Sequence, residues 1–186
     1  MFELKDHKIY DMLKHNYQEC YLDYVIFQSE EEYSKMESHK LAVIKAFEIL
    51  NERKQKLYKV GEFKGYDIQL DKMAAELITT DEFFEEPEDS YYMTKPSENR
   101  CFSIPEKTPY WYAFLEPPYT NTLVLKDFQT FNQVLFPFKN NLELYRWNDD
   151  FSNYFDDGKE WWGTGCWSVY DKIEQIYVVI LVSLTD

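Results

Sequence analysis

The chain has 186 residues, a formal charge of -14, 45% hydrophobic residues and 19% aromatic residues. That apolar content is enough to bury a core and excludes a disordered acidic tail, while only five glycines and seven prolines exclude a collagen-like or low-complexity chain. One domain spanning 1–186 is expected, and an acidic field of this size argues against nucleic acid and anionic membrane as partners and favours a basic protein.

In chain order, the charged N-terminus MFELKDHKIYDMLKH has no apolar signal-peptide core, so a cytoplasmic protein is expected, with a short helix up to about His15. Residues 22–27 (LDYVIF) read as a strand. Ser29 followed by Glu32 has the spacing of a capping box, and it predicts a long capped helix over 30–56. Its expected apolar stripe is Tyr33, Met36, Val43, Ile44, Phe47 and Leu50, with Lys40 reaching out at the edge and His39 in solvent. Gly61 and Gly65 punctuate a loosely alternating stretch, 57–70, that suggests a short hairpin or two strand fragments. A second helix is expected over 71–77, where Ala74 and Ala75 are good helix formers behind Asp71.

An acidic, proline-rich connection at about 81–109 follows, and YWYAFL at 110–115 alternates as a strand would. Asp127 is placed to cap a helix over 128–135, with Pro137 just beyond its end. Strands are then predicted at 142–147, 166–170 and 176–184, the last two joined as a hairpin. The apolar run at 176–184 is about half the ~20 residues a membrane helix needs. The fold class is therefore α+β: a mostly antiparallel sheet, a long N-terminal capped helix and one or two shorter helices.

Charge is concentrated in two blocks. Residues 76–98 have a balance of -7 and residues 142–186 one of -6, which together make nearly all of the excess. The second block also holds four of the five tryptophans. Within it, Asp149, Asp150, Asp156, Asp157 and Glu160 lie beside the adjacent pair Trp161 and Trp162, and these seven residues are the candidate binding set. Adjacent tryptophans in an extended chain point to opposite faces, so one of them is expected to face a partner, with the acids selecting a basic one. Solubility alone would also account for the acids.

Other chemistry is weakly represented. Counting back from Gly158 puts Phe155 where a calcium loop needs an oxygen ligand, and Asp-Asp-Gly reads more simply as a turn, so no metal is assigned. Cys20, Cys101 and Cys166 form no C-x-x-C pair, which argues against a disulfide framework and a zinc knuckle and fits a reducing compartment; Cys166 reads as a small buried hydrophobe. No phosphate-cradling glycine loop or hydrolase motif is present, so neither a cofactor nor a catalytic residue is assigned. Acids among aromatics at 148–160 leave one enzymatic alternative, a hydrolase acting on carbohydrate or a similar polar substrate through two carboxylates.

The segment FSNYFDDGKEWWGTGCWSVYDK, followed by a strand ending SLTD, resembles a segment of uncharacterised proteins of Gram-positive bacteria. The resemblance covers about the last quarter of the chain, with YWYAFLEPP similar to the same pattern, and implies no particular activity. Size and acidity are similar to those of immunity proteins that neutralise bacterial toxins. A protein-binding or immunity-like module, with an oligomeric state left open, is the functional expectation.

Overall fold

The computed structural model describes residues 1–59, 61–87, 107–160 and 162–185. Its elements are β1 (Phe2–Glu3), α1 (Lys8–His15), β2 (Asp23–Gln28), α2 (Met36–Leu57), β3 (Ala75–Ile78), α3 (Thr80–Phe83), α4 (Tyr110–Leu115), α5 (Leu125–Leu135), β4 (Leu142–Trp147), α6 (Asp156–Glu160), β5 (Gly163–Asp171) and β6 (Ile176–Leu184). The strands form one antiparallel sheet in the order β1-β2-β6-β5-β4-β3, which makes the fold α+β as its pattern predicts. No helix among the described residues is long and apolar enough to cross a membrane.

β5 and β6 occupy the middle of the sheet and are buried almost throughout. Strands in this position need apolar residues on both faces, and the near-continuous run Ile176–Leu184 supplies them. One face, with Leu144, Trp167, Val169 and Val178, is covered by Ile9 of α1, Phe83 of α3, Phe114 of α4 and Phe128 and Phe131 of α5. The opposite face, with Tyr145, Trp147, Cys166 and Val179, is covered by Val43, Phe47 and Leu50 of α2 together with Phe151 and Phe155. The turn joining β5 to β6 is closed by the Asp171 carboxylate, which accepts from the amides of Ile173 at 2.8 Å and Glu174 at 3.1 Å.

The long helix begins later than its sequence signal. Ser29 Oγ accepts only from the Glu31 amide, at 3.3 Å, and α2 starts at Met36 after Lys35 has taken a positive φ of 48°. The intervening strap carries Tyr33 onto the sheet, where its ring stacks on Tyr170 with centroids 4.4 Å apart. The buried face of α2 is rotated accordingly: His39, Ala42, Val43, Ala46, Phe47 and Leu50 are inside, whereas Met36 is exposed and Ile44 half-buried. His39, expected in solvent, has no exposed surface. Lys40 does reach outward, to the Leu70 carbonyl at 3.3 Å.

Three other local expectations are overturned. Residues 71–77 form a turn and then β3, because pairing with β4 (Ala75 opposite Trp147, Ile78 opposite Leu144) outweighs the modest helix preference of two alanines. YWYAFL is the helix α4: an all-apolar run satisfies a buried helix as well as a strand, and Pro109 at its N-cap starts the turn. Residues 57–70 include no strand among those described; Gly61 and Gly65 take φ of 90°, and Asn51 pins the segment by bonding both the amide and the carbonyl of Tyr66.

Boundaries shift more modestly elsewhere. α5 starts at Leu125, so Asp127 lies in its first turn and accepts from the Val124 amide at 2.9 Å. The connection expected at 81–109 overlaps α3, capped by Thr79, and its residues 88–106 lie outside those described.

Phe47 is fully buried with edge-on contacts to Phe151, Tyr154 and Phe155. Phe47→Ala is expected to cost about 3–5 kcal/mol through lost burial and the cavity left behind, measured by the shift of the urea midpoint at constant slope.

Candidate functional site

The acidic segment is less of a loop than its composition suggests. Ser152 accepts from the Tyr154 amide to start a 3-10 turn, Asn153–Phe155, which runs directly into α6. Phe151, Phe155 and Gly158 are buried while Asp150, Asp156, Asp157 and Glu160 are exposed. The buried residues thus hold the acids outward on a fixed frame. Gly158 must be glycine here, since a Cβ would lie 2.6 Å from the Gly163 carbonyl and 2.7 Å from Ser183 Oγ. Asp156 and Asp157 occupy the first turn of α6, where negative charge complements the helix dipole.

The seven candidate residues are not equivalent. Lys159 Nζ lies 3.0 Å from Asp150 and 3.8 Å from Asp149, and Asp149 also accepts from Thr164 Oγ1 at 2.5 Å. Those two acids are thereby partly neutralised in place. Asp156, Asp157 and Glu160 point to solvent with no such lysine among the described pairs. Trp162 is only 7% exposed: its indole N–H donates to the Glu116 carbonyl at 2.7 Å and its ring stacks on Tyr112. It fastens the start of β5 to α4 and cannot be a surface anchor. Trp161 lies outside the described residues.

Asp150, Asp156 and Lys159 line an open depression of about 530 Å³ with Lys72 and Asn153. Asn153 exchanges bonds with Asp67, donating its amide to the carboxylate at 3.3 Å and accepting the Asp67 amide at 3.0 Å. The segment preceding β3 therefore sits on the same corner as α6. A second depression, of about 290 Å³, contains Arg146, Thr108, Asp149 and Lys159. Burial lowers the Arg146 guanidinium below its ordinary value, against the opposing charges of Glu76 and Glu82 from the first acidic block and Asp149 from the second.

Sequence reasoning missed a buried polar chain. Trp147 Nε1–H donates to Ser168 Oγ at 2.8 Å, and Ser168 lies 2.9 Å from His39 Nδ1. On the other side of the ring, His39 Nε2 is 3.3 Å from the Tyr33 hydroxyl, which donates to Glu143. One arrangement satisfies every group: Ser168 donates to Nδ1, and a neutral ring donates from Nε2 to Tyr33. Protonating Nδ1 would break the bond that Ser168 donates to it. Burial also pulls the imidazole down from 6.5 to about 4, against the opposing pull of Glu143 and Ser168. Burial pushes the Glu143 carboxyl up, but bonds from Tyr33 and Lys172 outweigh it and hold the group below its ordinary value. Ser168 has no exposed surface, so this serine and histidine are structural. Only the spacing of His39 on the face of α2 could have signalled it.

Cys166 is buried among apolar groups that push its thiol up, and burial pushes Cys20 up to about 12, so neither supplies a thiolate. Among the described residues no group of three or more His, Cys, Asp or Glu is arranged to hold a metal. No family model, curated protein or solved structure matches the chain.

The folded His39 binds its proton more weakly than the unfolded one, so the unfolded state takes up protons first as pH falls. Stability present above pH 6.5 should decline by about 3 kcal/mol between 6.5 and about 4, with Glu143 adding to the loss below its ordinary range. Urea unfolding across that window measures it, and His39→Asn, which retains a partner for Ser168, should flatten the slope.

Proposed function

We propose that the protein is a binding module for a basic protein, engaged through the acidic corner built by α6 and the residues before it. The observation that supports this most is the alternation at 150–160: aromatic residues and Gly158 are buried as a frame, and Asp150, Asp156, Asp157 and Glu160 are displayed from it. Fixed exposed charge of one sign raises the encounter rate with an oppositely charged partner and rejects acidic ones. An immunity-like role, in which a small acidic protein masks a basic one, fits this chemistry. Trp162 is not part of that surface, so the reading rests on the exposed charges.

The carbohydrate-hydrolase alternative has less support. A general acid needs a carboxyl withdrawn from water and an opposed second carboxylate. Asp149 and Asp150 share Lys159, and Asp156, Asp157 and Glu160 are exposed.

The test is affinity capture from the source cell's lysate, followed by binding kinetics of the purified pair at two salt concentrations. Asp156→Asn with Asp157→Asn should slow association by roughly several-fold at low salt and flatten its salt dependence, leaving dissociation nearly unchanged. Unaltered association would remove this corner from the interface.

A further inference from the structure

Arg146 stands on the sheet face that carries Leu144 and Trp167, directly between Glu76 on β3 and Trp167 on β5. A charge there is costly unless its donors are met. Its guanidinium is half-buried, lies over the Trp167 ring at 5.7 Å and donates to the Thr108 carbonyl at 3.1 Å. The residue opposite it does not complete the set, because the Glu76 carboxylate is bonded at 2.5 Å to Lys107. Among the described residues Arg146 has no carboxylate within ion-pair distance, and with one hydrogen bond, to a carbonyl, it lines the 290 Å³ depression with N–H donors to spare.

Glycines let the groups around Arg146 close in. A Cβ on Gly165 would lie 2.1 Å from the Trp167 ring, and one on Gly163, whose φ is 141°, would lie 2.6 Å from Thr108 Oγ1. A side chain at either position would displace the groups that hold the guanidinium. Lys107 and Lys159 border the same space, each with a carboxylate partner already in place.

We propose that this depression is a binding site for a small carboxylate ligand, held by Arg146. A planar guanidinium with adjacent unspent donors matches a carboxylate in a bidentate pair, and the volume is near the lower end of the range for small-molecule sites. The surroundings select against phosphate. Glu76, Glu82 and Asp149 offset the cations Arg146, Lys107 and Lys159, so the net attraction is small, while the desolvation cost rises with the square of the ligand charge and falls harder on a dianion than on a carboxylate monoanion. The site is separate from the exposed acids of α6, and its occupancy does not depend on a basic protein partner.

The chain has three arginines, Arg53, Arg100 and Arg146, so their Nε–Hε signals in a ¹⁵N spectrum can be followed individually. The probe is sodium acetate, compared with sodium phosphate and sodium chloride at matched ionic strength. Acetate should move the Arg146 signal along a saturating curve, with a response several-fold weaker to phosphate and none at Arg53, which is paired with Glu3. Arg146→Lys, which keeps the charge but not the fork, should weaken the acetate effect on the Trp167 indole Nε1–H signal several-fold. A linear drift equal to that in chloride, or equal shifts at Arg53 and Arg146, would overturn the proposal on the wild-type protein alone.

Discussion

Burial of the β5–β6 pair on both faces is the constraint from which the rest of the architecture follows. A sheet with a two-sided core requires two covers, and this chain makes them unequally. A single long helix, α2, serves one face with help from Phe151 and Phe155, while α1, α3, α4 and α5 assemble the other from short pieces. Ring contacts are extensive on both sides. The short helices are too short to be stable alone, so packing of Phe83, Tyr110, Phe128 and Phe131 holds them in place. The edges carry the short strands β1 and β3, which limits open ladder to a few residues.

Into the face covered by α2 the chain inserts a polar line, Trp147–Ser168–His39–Tyr33–Glu143. Its members come from β4, β5, α2 and the strap before α2, so it fixes the position of that helix over the sheet in a way greasy packing alone does not. The strap shows the cost. Residues that could have capped a helix at Ser29 instead run irregularly to Lys35, whose φ of 48° is unfavourable for a side-chain-bearing residue. Stacking of Tyr33 on Tyr170 and its bond to Glu143 offset that cost. The capping signal was real, and a tertiary contact overrode it.

That conflict explains how much of the fold was legible in the sequence. The strands at 142–147 and 176–184 and the hairpin between β5 and β6 were readable because β-branched and aromatic residues are bounded there by polar turns. YWYAFL and 71–77 were not, since an unbroken apolar run has no period and two alanines decide little against a pairing partner 70 residues away. At the candidate site, the acids that reach solvent were identifiable from composition, but their separation into lysine-paired and free ones was not, because Lys159 meets Asp149 and Asp150 only after α6 turns the chain back. The adjacency of Trp161 and Trp162 predicted that they differ; it could not say that Trp162 turns inward to Glu116. Arg146 carried no signal at all, being one cation within a strand.

The corner where β4 ends and β5 begins therefore inherits its shape from the central strands: Trp167 supports Arg146, Gly163 and Gly165 let Thr108 and Trp167 pack close, and α6 displays acids beside it. Native-state hydrogen exchange tests most directly whether the doubly covered hairpin organises the molecule. Amides of β5 and β6 are predicted to exchange only through global unfolding, with the free energy measured by urea, while those of β1 and β3 exchange through smaller openings. If β6 amides exchanged as readily as those of β1, the hairpin would not be the element on which the fold depends.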